Sequence, residues 1–103
     1  MQKIITSIVK KLAKHYQPEK IILYGSWAYG KPDAESDIDL LIIKDTEDRP
    51  IDRRIQVRRL VNLKKPIAFS PLVLAPQELD YLIQNGDDFI GEILTKGKVL
   101  YAR

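Results

Sequence analysis

At 103 residues, with 45% apolar and 30% charged side chains, the chain has the length of one folded unit, residues 1–103, and the make-up of a globular one. It has no Cys and a single His (His15), which excludes disulfides, thiolate chemistry and Cys- or His-cluster metal sites; any chemistry falls to carboxylates, hydroxyls, backbone amides, Lys or Arg. The net charge of +3 favours anionic partners mildly and does not by itself imply nucleic-acid binding.

Ile4, Ile5, Ile8, Val9, Leu12, Ala13 and Tyr16 recur at helical spacing with lysines opposite, which predicts an amphipathic helix over residues 2–16, ended by Pro18. Lys10, Lys11 and Lys14 break the apolar character of this start, so it is not read as a signal peptide, and a cytoplasmic location is expected. Lys20 to Tyr24 reads as a short buried strand cut off by Gly25. Gly25-Ser26 opens a turn or short helix through Ala28, and Lys31 to Ser36 is a polar loop. Asp37 to Ile43 is a second strand, followed by a charged loop closing at Pro50. Residues 51–65 are helical in composition and end at Pro66. Residues 67–75 form a third strand, with Pro71 placing it at an edge or a bulge. Pro76-Gln77-Glu78 starts a helix that Asn85-Gly86 stops, Asp87 starts another that ends near Gly97, and Lys98 to Tyr101 is a short last strand. The longest apolar runs, Ile21–Tyr24 and Leu40–Ile43, are four residues, against the ~20 a membrane-spanning helix needs. The order predicts an α/β fold: a small sheet with helices packed against it.

The chemistry concentrates in Leu23-Tyr24-Gly25-Ser26-Trp27-Ala28-Tyr29-Gly30 and Ser36-Asp37-Ile38-Asp39-Leu40. Residues two apart on a strand share a face, so Asp37 and Asp39 present two carboxylates side by side among apolar neighbours. Such a pair repels itself unless a cation sits between the groups, and hard oxygen ligands with open positions suit Mg²⁺. Gly25 lets a ligand approach the backbone, and Ser26 with nearby amides suits phosphate oxygens. Ser36 reads as a turn residue, and Lys31, Asp33 and Glu35 as a solvated loop. Trp27 and Tyr29 are equally suited to stacking on a base or to packing. Arg53, Arg54, Arg58 and Arg59 spread around a helix near Asp48 and Asp52, which favours a solvated, ion-paired helix over a nucleic-acid surface.

Gly-Ser, ten residues, then Asp-x-Asp between apolar neighbours resembles the nucleotidyltransferase superfamily that includes DNA polymerase β. The wording Gly-Ser-x-Ala-x-Gly…Ser-Asp-Ile-Asp-Leu is similar to its minimal members, the MNT proteins, often encoded beside HEPN-domain partners in toxin–antitoxin pairs. The resemblance runs along essentially the whole chain. It implies the polymerase β-like fold with a small mixed sheet. It also implies that Gly25 and Ser26 bind the triphosphate, and that Asp37 and Asp39 ligate Mg²⁺ as metal-binding and catalytic residues. An acceptor hydroxyl then attacks the α-phosphorus of ATP or another nucleoside triphosphate. A HEPN partner is the acceptor implied for some members; a homo-oligomer stays open.

Two positions depart from the pattern. The superfamily carries a third carboxylate on a later strand, and Ser70 aligns with it here; Glu78 or Asp80 is an alternative at the wrong spacing. Trp27 stands where many relatives have a basic residue. The alternative reading is therefore a catalytically degenerate member that binds and regulates a HEPN-type partner by contact.

Overall fold

A computed structural model of the chain describes residues 2–33, 35–64 and 66–103. Chain order gives α1 (Gln2–His15), β1 (Lys20–Tyr24), α2 (Ser26–Tyr29), β2 (Ile38–Ile43), α3 (Pro50–Val61), β3 (Phe69–Leu74), α4 (Pro76–Gln84), α5 (Asp88–Lys96) and β4 (Lys98–Ala102). The expected α/β order is present throughout. The strands form a four-stranded sheet in the order β3-β2-β1-β4. β1 runs antiparallel to both β2 and β4, and β2 runs parallel to β3, so the sheet is mixed. A parallel pair needs a crossover, and α3 supplies it. Pro71 sits on β3, at one edge of the sheet, where its missing N–H breaks no ladder on the open side.

Strand alternation divides the core in two. Ile21, Leu23, Ile38, Leu40 and Ile42 point to one face, where Ile5, Ile8 and Leu12 of α1 and Val57 and Val61 of α3 cover them. Ile22, Leu41 and Ile43 point to the other, under Ile90 and Ile93 of α5, with Leu79 and Leu82 of α4 beside them. β2 is central and its residues from Leu40 to Ile43 are buried. Asp39 shares the parity of Leu41 and Ile43, so it belongs to the α4–α5 face, near the start of β2, with Asp37 just ahead of the strand.

Several boundaries differ from expectation for local reasons. α1 stops at His15 because Tyr16 and Gln17 both donate to the Leu12 carbonyl and Gln17 turns to φ 54° ahead of Pro18. α3 ends at Val61, earlier than the expected residue 65, because Asn62 takes the left-handed conformation and returns its N–H to the Arg58 carbonyl. Lys65 and Ala34, in the expected helix end and polar loop, lie outside the described residues, as does Met1. β2 begins at Ile38, whose N–H donates to the Ala68 carbonyl, so Asp37 stands one residue before the strand and not on it. Asp87 caps α5 as expected, its side chain accepting from the Ile90 N–H at 2.9 Å. Among the described residues no helix is long and apolar enough to cross a membrane.

The expected solvated arginine helix needs correction at one residue. Arg53 is buried, because it continues the inward stripe of Val57 and Val61 at steps of four. Its guanidinium donates to Glu78 with both terminal nitrogens, at 2.6 and 3.3 Å, and to the carbonyls of Asp48 and Val73 at 2.7 and 3.3 Å. It therefore ties α3, the loop after β2, β3 and α4 together. Arg49 pairs with Asp52 at the surface, while Arg54, Arg58 and Arg59 are exposed as expected.

Candidate functional site

β1 ends in a bend that only glycine makes easily. Gly25 has φ 74° and ψ −157°, a region of backbone space that other residues enter at a cost. A Cβ there would lie 2.3 Å from Oδ2 of Asp39, so the glycine backbone and the Asp39 carboxylate are in direct contact. The Gly25 carbonyl accepts from Ala28 and Tyr29, which winds the single turn of α2. The first amides of a helical turn have no partner within it, so those of Ser26 and Trp27 are not used by the hydrogen bonds of α2.

Asp39 is half-buried and Asp37 exposed. Burial, and then the negative charge of Asp37, push the Asp39 carboxyl above its ordinary value. This is the like-charge strain that the spacing implied, and a cation would relieve it. In the sheet register Asp39 stands between Tyr24 on β1 and Ser70 on β3. The Ser70 hydroxyl donates to Oδ2 of Asp37 at 3.0 Å. Asp37, Asp39 and Ser70 are thus brought together, with Gly25 and Ser26 alongside. Glu78 is not available to this group, because it is held by Arg53 and accepts from the Ala75 N–H at 2.7 Å, beyond the far end of β3 from Ser70. Asp80 is exposed on α4.

The entry to Asp37 is fixed by contacts the sequence did not advertise. The Trp27 indole N–H donates to the Ser36 carbonyl at 3.1 Å, and its ring packs against the α1–α3 core. Trp27 therefore packs and also clamps the chain one residue before the first acid. Asp33 and Ser36 build the turn in front of it: the Asp33 N–H donates to the Ser36 hydroxyl at 2.9 Å, and the Glu35 N–H to Asp33 Oδ1 at 2.8 Å. The expected role of Ser36 as a turn residue holds. On the other flank Tyr24 meets Phe89 of α5 edge to face, ring centroids 5.7 Å apart. Burial first, then the charges of Asp39 and Tyr29, push the Tyr24 hydroxyl up to about 12, so it stays protonated beside the acids.

The donor set fits a divalent cation of the hard kind. Two carboxylates and one hydroxyl, with no nitrogen or sulfur ligand, leave positions for water and phosphate oxygens, which is the coordination Mg²⁺ prefers. Among the described residues no cluster of three or more acidic, His or Cys side chains forms a self-sufficient metal cage.

The family model described as polymerase beta, nucleotidyltransferase, matches residues 6–103. The chain belongs to that family. Two relatives from Methanocaldococcus jannaschii carry the provisional name protein adenylyltransferase. One is 37% identical over 87 residues, covering 81% of this chain and 58% of the relative; the other is 32% identical over 102 residues, covering 97% of each. The chain thus spans little more than half of the first relative and nearly all of the second. Among solved structures, a crystal structure from Sulfolobus solfataricus, provisionally named a nucleotidyltransferase, superposes with a TM-score of 0.68 at 24% identity, over 100% of this chain and 81% of that one. A spectinomycin adenyltransferase from Enterococcus faecialis, solved with ATP and spectinomycin, superposes with a TM-score of 0.66 at 16% identity, over 100% and 56%. These two similarities establish the polymerase β-like fold.

Proposed function

We propose that residues 1–103 act as one nucleotidyltransferase unit that moves a nucleoside monophosphate, AMP from ATP, to a hydroxyl acceptor. The observation that carries this reading is the contact between the Gly25 backbone and the Asp39 carboxylate, which joins the phosphate-binding bend and the paired acids into one site. Gly25 and Ser26 hold phosphate oxygens through backbone amides and the Ser26 hydroxyl. Asp37 and Asp39 are the metal ligands and the catalytic carboxylates. Asp37 and Asp39 would hold Mg²⁺, which would supply charge neutralisation for the triphosphate and the departing pyrophosphate. The acceptor oxygen forms a bond to the α-phosphorus as the bond from that phosphorus to the bridging oxygen of pyrophosphate breaks, and the acceptor proton leaves to solvent or to a carboxylate. The names of the two M. jannaschii relatives support a protein hydroxyl as acceptor. By resemblance that protein is a HEPN-domain toxin, which the transfer would silence. Incubation with α-labelled ATP, Mg²⁺ and a HEPN partner encoded nearby is expected to label the partner, and Asp39→Asn to abolish the label. Absence of label on any partner, with either Mg²⁺ or Mn²⁺, would remove the catalytic reading.

One observation favours a second reading, a degenerate member that regulates its partner by contact. At the register position beside Asp39, β3 offers the Ser70 hydroxyl, a neutral and weak ligand, where the superfamily pattern has an acid. On this reading the variant Asp37→Asn/Asp39→Asn still neutralises the partner. On the catalytic reading it does not, and Ser70→Asp tightens Mg²⁺ binding and speeds transfer.

A further inference from the structure

The bend at Gly25-Ser26 has no cation in its own sequence: residues 21–30 contain neither Lys nor Arg. A site for a triphosphate without a positive side chain would rely on amides and metal alone. The fold supplies one from the other end of the chain. Lys96 occupies the last turn of α5, and its ammonium lies 5.9 Å from the centroid of the Tyr29 ring in α2.

Its location is set by backbone packing, not by the flexible side chain. Gly97, the next residue, is pressed onto β1: a Cβ there would meet the Leu23 carbonyl oxygen at 3.1 Å, Ile22 Cγ2 at 2.7 Å and the Ile93 carbonyl oxygen at 2.5 Å. Lys98 then pairs in register with Leu23, two residues before the bend. The end of α5 is therefore anchored on β1 at Ile22 and Leu23, close before the bend. α5 also lies on the sheet face to which Asp39 belongs, with Phe89 against Tyr24 at its other end.

We propose that Lys96 is the phosphate-contacting cation of this site, closing on the triphosphate from the α5 side while Gly25 and Ser26 hold it from the β1 side. The proposal rests on the nucleotide reading of the Gly25–Asp39 site. Among the described residues nothing occupies Lys96 strongly. Its partner Glu92 is 3.6 Å away, one helical turn back, with both side chains about half exposed, and such surface pairs contribute little. Its attraction to the Tyr29 ring is likewise weak at an exposed position. An ammonium held loosely, near a bend suited to anions, exchanges both contacts for a charge-assisted hydrogen bond to phosphate.

The test uses the intact chain with ATP, AMP and adenosine as probes in the presence of Mg²⁺. Trp27 is the only tryptophan and adjoins the bend, so its fluorescence reports uptake, with calorimetry as a second readout. Lys96→Ala is expected to weaken ATP about tenfold, AMP less, and adenosine not at all. Lys96→Arg is expected to restore most of the loss, and Glu92→Gln to leave ATP affinity as it was. Equal ATP affinity in the wild-type and Lys96→Ala proteins would overturn the proposal alone. An equal loss for ATP and adenosine, or a matching loss in Glu92→Gln, would do the same by assigning the effect to helix structure. No nucleotide uptake by the wild-type protein would overturn both this proposal and the reading on which it rests.

Discussion

Replacing Gly25 by alanine separates backbone strain from site geometry. Two costs are built into that substitution. The first is conformational: φ 74° with ψ −157° falls in a region that residues with a Cβ occupy at a cost of about 1–3 kcal/mol. The second is steric, since the new methyl would sit 2.3 Å from Asp39 Oδ2. That oxygen is the tip of a half-buried, rotatable side chain, so the carboxylate turns aside and the steric cost to stability is small. The expected loss in a urea melt is therefore ~1–3 kcal/mol, almost all of it conformational. Asp39→Ala added to Gly25→Ala removes the clash and leaves the strain. The coupling between the two substitutions in stability is expected to be below about 0.5 kcal/mol, within the usual scatter of additivity. The site responds differently: with Asp39 turned away, Gly25→Ala alone is expected to lose Mg²⁺-dependent ATP uptake. A Gly25→Ala protein that melts within ~0.5 kcal/mol of wild type would refute the conformational argument. One that binds Mg²⁺ and ATP normally would refute the claim that this contact shapes the site.

Three further outcomes follow from particular contacts. Asp37→Asn/Asp39→Asn removes a repelling pair, one member of which is held above its ordinary value by burial; without metal the variant is expected to unfold at higher urea, by about 0.5–1 kcal/mol, while losing Mg²⁺ stabilisation. Glu78→Gln leaves the buried Arg53 guanidinium without its counter-charge and is expected to cost ~2–3 kcal/mol at pH 7, below the range for a fully buried pair because Glu78 is partly exposed. The hydrogen bond from Arg53, helped by the Ala75 N–H, holds the Glu78 carboxyl below its ordinary 4.5, so the stabilisation is present above pH 4.5 and is lost as pH falls through the lowered value. Melts between pH 7 and pH 3 should show that loss in the wild type, less of it in Glu78→Gln, and equal slopes would contradict it. Trp27→Phe keeps an aromatic ring, smaller than the indole, and removes the donor to the Ser36 carbonyl, with an expected cost of at least about 1 kcal/mol and faster amide exchange at residues 36–37; unchanged exchange would show that the clamp does not hold the approach to Asp37.

The reach of the sequence is clearest in β2 and α3. Strand periodicity alone put Asp37 and Asp39 side by side, and the structure keeps them together even though the ladder begins only at Ile38. In α3 the solvated reading failed at one residue: positions 53, 57 and 61 share a face, and the structure buries Arg53 with Val57 and Val61. Composition hid it, because four arginines in seven residues read as a solvated surface. Pro71 restricted its strand to an edge or a bulge, because a missing N–H is a local fact, and the strand order decides for the edge.

Local pattern settled what local physics controls: helix and strand type, the glycine bend after β1, and the spacing of two acids at the start of β2. Which groups then meet across the fold depended on strand order and register, which no single segment encodes. Parallel pairing of β2 with β3 brings the Ser70 hydroxyl to Asp37, and antiparallel pairing of β4 with β1 brings the end of α5 onto β1, with the Lys96 ammonium near the Tyr29 ring. Those pairings are fixed by burying two apolar sheet faces at once, a requirement that belongs to the whole chain.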